Sequence, residues 1–361
     1  MEPELSSTSV TLFSAYVKST LVFLETPALN LHNSLVDTIR HSTYYPIAHL
    51  QLPTYLTSTP TQPQSPTVQQ TTTKMSQETF KGWVSTSAKT PLSYTTYTPK
   101  PFTPTDIEIS ITHCGICGTD IHTLNSGWGP TDYPCVAGHE IIGTVRRIGS
   151  EVPNHPTNPS IRNIRLGERV GIGAQSSSCL KPDCEACADG QESYCARMTG
   201  TYNGRYLDAN RSKSFGGFAD SWRGPAHFVF RIPDALPSVR AAPLLCAGVT
   251  VYAPLKKYGV GPGKTVGIVG IGGLGHLGIL FARALGAERV IGISRSSAKK
   301  ADAIGGLGAD GFIATGEEKG WEKKWSRKMD VVLSTVSAPD MPFAGYLRLL
   351  KRDGVFVQVG A

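Results

Sequence analysis

The first 74 residues of this 361-residue chain contain neither glycine nor cysteine, and all 38 glycines and all eight cysteines lie downstream. So sharp a change of composition marks a seam. The leading stretch instead holds 23 Ser and Thr and seven Pro, closing on PTYLTSTPTQPQSPTVQQTTTK, which has too little apolar surface to offset the entropy of ordering it. Residues 51–74 are expected to be disordered, and the earlier piece TLFSAYVKSTLVFLETPALNL to form a short helix. Residues 1–74 as a whole read as a disordered or non-native N-terminal extension, with Met75 the functional start. Glu2, Glu4 and the scarcity of Arg argue against a mitochondrial transit peptide, and no basic stretch precedes the apolar one, as a secretory signal requires.

Other absences narrow the function. The most apolar long stretch, 266–287, is interrupted by glycines, a His and an Arg, so it fails as a membrane span. The net charge of +7 comes without a Lys/Arg stripe interleaved with aromatics, and nothing points to nucleic acid. With 40% hydrophobic and 17% charged residues the composition is that of an ordinary globular protein, long enough for two domains and a cleft. A cytoplasmic location is the expectation.

Within 75–235, the runs DIEISIT, EIIGTVRRIG, ERVGIG and AHFVFRIP stand between Gly/Pro turns and predict a β-rich unit. From 236 onward TVGIVG, RVIGIS, MDVVLST and GVFVQVG alternate with helical stretches such as GLGHLGILFARALGA. That alternation predicts an α/β fold with a doubly wound parallel sheet and helices on both faces.

TVGIV runs straight into GIGGLGHLG, placing Gly270, Gly272 and Gly275 between a strand and a helix. Glycines there let the backbone turn tightly and approach a pyrophosphate at the helix N-terminus, although a simple strand-helix turn needs some of them too. The second strand of such a unit ends in an acid when the cofactor is NAD. Here it ends in Ser294, followed by Arg295, Ser296, Ser297, Lys299 and Lys300, donors and cations suited to a 2′-phosphate, so NADP(H) is favoured. Each of the two lysines also fits a solvated helix face.

The cysteines cluster between 114 and 246 without a secretory context, which favours metal over disulfides. Cys179, Cys184, Cys187 and Cys195 can close a tetrahedral, structural zinc site. Cys117, His139 with the adjacent Glu140, and Cys246 are distant in sequence but supply the mixed sulfur and nitrogen set of a catalytic zinc. Asp120 can orient His139, while Thr119 and His122 offer a hydroxyl and an imidazole for proton movement. Cys114 and Cys135 fit neither set and read as small core residues.

These residues resemble the zinc-dependent medium-chain alcohol dehydrogenases, most closely the NADP-dependent cinnamyl alcohol dehydrogenase group. The resemblance rests on HCGICGTDIH, YPCVAGHEIIGTV, the four-cysteine lobe, PLLCAGVTVY, GIGGLGHLG and ISRSSAKK in that order, and covers about 77–361. It implies a GroES-like catalytic domain over 75–235 and a Rossmann domain over 236–361 that binds NADP(H). It further implies two zinc ions per chain, with Glu140 an alternating ligand at the catalytic one. Thr119 and His122 match the proton relay, Ser294, Arg295, Ser296 and Lys300 face the 2′-phosphate, and Trp128 lines the substrate pocket. The implied reaction interconverts aldehydes and primary alcohols, aromatic or medium aliphatic, with a polyol dehydrogenase as the nearest competitor. Family members continue past VQVGA, so the Rossmann domain is expected to be C-terminally truncated, with its fifth strand an exposed edge. That absent part carries much of the family's homodimer contact. A catalytically silent NADP- and zinc-binding remnant is the alternative that this ending raises.

Overall fold

The computed structural model describes residues 10–12, 78–155 and 158–360. The readings made for 1–74 lie outside the described residues except at Val10–Leu12, which forms a short strand, β1, where the sequence suggested the start of a helix.

Strands β2 (Phe80–Val84) and β3 (Ser93–Tyr97) pair antiparallel. Beyond them come β4 (Asp106–Gly115), β5 (Glu140–Ile148), β6 (Arg169–Ile172), the short pair β7 (Gln175–Ser177) and β8 (Thr199–Gly200), then β9 (Ser221–Pro225) and β10 (Val229–Arg231). The main sheet of this half runs β10-β6-β5-β4-β9, antiparallel throughout. Strand β4 forms because isoleucine recurs at every second position, 107, 109 and 111. Ile107, Ile109 and Ile111 point one way and pack on Ile141, Val145, Val170, Ile172 and Trp222. Glu108 points the other way and receives Arg223 Nε at 2.7 Å and Arg146 Nε at 2.6 Å, so this buried carboxylate is paired. Of the run AHFVFRIP only Val229–Arg231 is strand. Ala226–Phe228 form a 3₁₀ turn with all three side chains buried, which breaks the alternation a strand needs.

The second half is a parallel sheet: β11 (Thr265–Val269), β12 (Arg289–Ser294), β13 (Gly311–Ala314), β14 (Met329–Ser334) and β15 (Leu350–Gln358), ordered β1-β15-β14-β11-β12-β13. Alternate residues face opposite layers. Val266, Ile268, Val331, Leu333 and Val357 pack with one set of apolar residues, while Val269, Ile291, Ile293, Val332 and Phe356 pack with another that includes Trp321 and Tyr346. Strand order reverses at β11, whose neighbours are β12 on one side and β14 on the other; the crevice beyond the ends of β11 and β14 is where such sheets bind ligands. The outer edge of β15, expected to be bare, carries β1 in parallel, with Val10 opposite Phe356 and Leu12 opposite Gln358. Among the described residues no single helix is long and apolar enough to cross a membrane.

Candidate active site and metal centres

Helix α1 (Gly118–Leu124) starts one residue after Cys117, its N-cap, and Asp120 closes a capping box on it. The box doubles as site architecture. Asp120 Oδ2 accepts from the Cys117 N–H at 2.8 Å, while Oδ1 accepts from the Gly138 N–H at 3.0 Å and meets His139 Nδ1 at 2.9 Å. One buried carboxylate thus ties the loop before α1 to the loop before β5. With Nδ1 committed to Asp120, His139 is left with Nε2 for the centre.

Cys246 arrives from the break between a 3₁₀ turn, Ala242–Leu245, and the helix Ala247–Lys257. Cys117, His139, Glu140 and Cys246 then offer ligand atoms that all lie within 4.8 Å of one another. Glu140 fits because Gly115 stands opposite it on β4: a Cβ at 115 would come within 1.8 Å of Glu140 Oε2. The Cys117 and Cys246 sulfurs are 3.9 Å apart, close to the roughly 3.8 Å edge of a tetrahedron with zinc–sulfur bonds of about 2.3 Å.

The electrostatics describe a set of groups competing for too few protons. The hydrogen bond from Cys246 holds the Cys117 thiol down to about 4, and Cys246 is pushed well up by its partner. Burial works against the His139 imidazolium, but Asp120 and Cys117 outweigh it and raise the group to about 10. Burial lifts the Glu140 carboxyl to about 8. A divalent cation would relieve all of this, replacing the shared protons with ligand bonds.

The lobe brings Cys179, Cys184, Cys187 and Cys195 together within the same 4.8 Å limit, with no histidine or carboxylate in the set. Sulfur pairs stand 3.7 Å (Cys179–Cys187), 3.9 Å (Cys184–Cys195) and 3.5 Å (Cys195–Cys179) apart. The donors and spacing fit zinc in a closed site. The Cys179 thiol is held down to about 6 by the backbone N–H of Lys181 and the neighbouring sulfurs, whereas Cys187 is pushed up to about 12. Cys135 is 2% exposed and Cys114 half-buried; burial raises both thiols and neither joins a set.

Thr119 Oγ1 lies 3.6 Å from Cys117 Sγ, and His122 follows three residues on, one turn along the same side of α1. Trp128 stacks on His122, ring centroids 4.5 Å apart and planes 13° from parallel. A tyrosine the sequence did not single out, Tyr202, packs on His139 at 5.7 Å.

In the other half, β11 delivers the glycine loop to helix α5 (Gly273–Ala284; numbered after the helices Glu185–Ala188, Ser238–Ala241 and Ala247–Lys257). Gly270 has φ +84, and a Cβ there would strike Val336; a Cβ at Gly275 would come within 1.7 Å of Gly270 O. Inward, the loop is closed. Outward, a Cβ at Gly272 or Gly273 would meet nothing within 4 Å, which leaves room for a pyrophosphate at the helix N-terminus. Ser294 ends β12, and Arg295 and Ser296 after it are exposed. Glu317 Oε1 accepts from the Ser297 N–H at 3.0 Å, so the stretch already holds one anion. Of the two lysines, Lys299 reaches the glycine loop, with Nζ 2.7 Å from Ile271 O, and Lys300 is exposed.

Comparison with known proteins agrees with this fold. Residues 103–234 match the alcohol dehydrogenase GroES-like domain and 273–361 the zinc-binding dehydrogenase domain. NADP-dependent alcohol dehydrogenase 6 of Saccharomyces cerevisiae is 44% identical over 266 residues, 73% of this chain and 70% of that one. The chain belongs to the zinc-binding alcohol dehydrogenase family. Another relative, cinnamyl alcohol dehydrogenase 8 of Arabidopsis thaliana, is 42% identical over 71% of this chain and 67% of its own. A solved cinnamyl alcohol dehydrogenase from Sorghum bicolor superposes with a TM-score of 0.72 at 38% identity, covering 79% of this chain and 77% of that one. One from Helicobacter pylori, complexed with NADP(H), gives 0.69 at 30% over 78% and 76%. As in this family, a GroES-like unit and a Rossmann sheet make up the fold.

Proposed function

We propose that this chain interconverts aldehydes and primary alcohols, aromatic or medium aliphatic, as a zinc-dependent oxidoreductase using NADP(H). The observation that carries the reading is the convergence of Cys117, His139, Glu140 and Cys246, from three separate stretches of chain, on one centre in a chain that also forms the glycine loop. Cys117, His139 and Cys246 would hold a zinc ion, with Glu140 alternating as a ligand, and the four lobe cysteines would hold a second.

Bound zinc would supply a Lewis acid for the carbonyl oxygen, and the dihydronicotinamide a hydride for its carbon. The chain's own groups do the rest. Asp120 fixes His139 in the tautomer that leaves Nε2 free for ligation. Thr119, beside Cys117, passes a proton between the substrate oxygen and His122, and His122, on the exposed side of α1, exchanges it with solvent. Trp128 holds the His122 ring by stacking and gives the substrate an apolar wall. Gly270, Gly272 and Gly275 receive the pyrophosphate, and Ser294, Arg295 and Ser296 meet the 2′-phosphate, with Lys300 adding charge from outside. The preference for NADP(H) also draws on the names of the relatives above. A cytoplasmic location is the expected one.

The test is NADPH oxidation by the purified chain with cinnamaldehyde, benzaldehyde and linear aldehydes. Turnover that a zinc chelator removes is the expected result. A zinc-loaded chain that binds NADPH and reduces none of them would overturn the reading.

A further inference from the structure

A helix leaves the carbonyls of its last turn without partners inside the helix, so the donors they find fix the chain that follows. At the end of α1 all four are met. The Asn125 N–H donates to Ile121 O at 3.0 Å, that of Ser126 to Thr123 O at 2.9 Å and that of Gly127 to His122 O at 2.7 Å, a Schellman ending with Ser126 in the left-handed region at φ +52. Side chains from farther along complete the set. Thr131 Oγ1 donates to Thr123 O at 2.6 Å and the Tyr133 hydroxyl to Leu124 O at 2.8 Å. With that hydrogen spent, Ser126 Oγ, 3.2 Å away, is the donor to the tyrosine oxygen. The two bonds reach back eight and nine positions and close residues 125–133 onto α1 as a loop. Two residues of that loop lie against His122. Trp128 stacks on the imidazole, and Gly127 stands so near that a Cβ there would come within 3.2 Å of His122 Nδ1. On its outer side the loop is clasped by Asp132, which takes Arg205 Nη2 at 2.6 Å and Lys213 Nζ at 2.9 Å, although Asp132 and Arg205 are 40% and 45% exposed.

We propose that Thr131 and Tyr133 are positioning residues: by latching the loop 125–133 to the end of α1 they hold Trp128 on His122 and so fix the imidazole that exchanges the proton. The proposal rests on the aldehyde-reducing function above, which gives His122 that task. Both stacked rings are exposed, so burial holds the stack only weakly and its geometry depends on the loop that carries Trp128. The inner latch outranks the outer clasp. Thr131 and Tyr133 are half-buried and end on helix carbonyls, whereas the Asp132 ion pairs are open to water and screened by salt.

The experiment follows the His122 ring protons by NMR in the zinc-loaded 361-residue chain, assigned among its nine histidines by comparison with His122→Asn. An indole stacked on an imidazole shifts those protons upfield through its ring current, a signature that needs no turnover. kcat with cinnamaldehyde and NADPH affinity are measured beside it, for the parent, Thr131→Val, Thr131→Ser, Tyr133→Phe and Asp132→Asn. Thr131→Val and Tyr133→Phe are each expected to lose most of the upfield shift and to lower kcat by about tenfold, a part of what a well-placed acid-base group supplies, with NADPH affinity within about twofold of the parent's. Thr131→Ser, which keeps the hydroxyl, is expected to behave as the parent does. Asp132→Asn should change kcat by no more than about threefold. An upfield shift retained in both Thr131→Val and Tyr133→Phe would overturn the latch, and so would equal losses in Thr131→Val and Thr131→Ser, which would assign the effect to packing. Loss of the shift with kcat unchanged would overturn the link from the stack to proton exchange. A parent chain that shows the shift but reduces no aldehyde would remove the proposed function while leaving the latch in place, a failure distinct from any of these.

Discussion

The two sulfur clusters differ in how the chain assembles them. Cys179 and Cys195 are 16 positions apart, so the lobe set is a local object. Cys117 and Cys246 are 129 apart, and their meeting requires the β-rich half and the start of the helical half to have docked. The surroundings differ as well. Asp120 and Glu140 stand at the distant cluster, which mixes sulfur, nitrogen and oxygen, whereas the lobe set is sulfur alone. A closed all-thiolate set stabilises a fold, and a mixed set with an exchangeable carboxylate leaves a position for substrate. On the proposed function, cysteine therefore serves two ends in one chain, set by sequence distance and by the company it keeps.

Paired substitutions break that comparison most forcefully. Cys246→Ala is expected to cut aldehyde reduction by about a thousandfold or more, since several kcal/mol of transition-state stabilisation leave with the metal. NADPH affinity and thermal stability should stay near the parent's, as should the lobe zinc. Cys184→Ala is expected to do the reverse: the melting temperature falls by about 10 °C or more as the lobe loses its closed site, while the zinc at the distant cluster is retained below that temperature. Metal content, melting curves and nucleotide titration on both variants check this. If Cys184→Ala stopped turnover in a chain that still melted like the parent, the division of labour would be wrong.

Asp120→Asn sharpens the distant cluster's side of the comparison. The carboxylate accepts from Cys117 N, Gly138 N and His139 Nδ1, and an amide has only one acceptor oxygen for the three donors. Zinc retention against a competing chelator should fall by about 10- to 100-fold, with the lobe zinc untouched. Retention equal to the parent's would mean that His139 is oriented by packing, with Tyr202 the contact to examine next.

How much of this the sequence disclosed follows the same division. The lobe was legible because its ligands are adjacent in the chain, and the long strands were legible because alternation is a local signal: DIEISIT, TVGIVG and RVIGIS all appear as β4, β11 and β12. Short strands without alternation were not. SWRGP contains a Gly and a Pro, yet it pairs with β4 as β9 because the partner edge supplies what the segment lacks; FKGWV and SYTTY, which pair with each other, were not singled out either. The distant cluster was read from its residue types and surroundings and then from family resemblance, since no spacing rule connects positions so far apart. Thr335 was missed altogether. It closes a run the sequence did mark, MDVVLST, but its hydrogen bonds to Val269 O and Gly270 O appear only once strand order places β14 beside β11. Of two adjacent lysines the sequence preferred Lys300, and the backbone turned Lys299 to the loop.

The smallest expected effect lies in the nucleotide half, and solvent is the reason. In Ser294→Asp the new carboxylate sits at the end of β12, where an acid accepts from the ribose 2′-hydroxyl and repels a 2′-phosphate. Arg295 remains beside it, and Arg295 and Ser296 are exposed, so water and salt screen much of the repulsion. The ratio of kcat/KM for NADPH to that for NADH should therefore fall by about tenfold, far less than a buried like-charge pair would impose. Raising the salt concentration should shrink the change further, because the charges involved are open to solvent. An unchanged preference at low salt would mean that Ser294 does not face the 2′-phosphate, and the discrimination would then have to come from Arg295 or from the lysines that follow it.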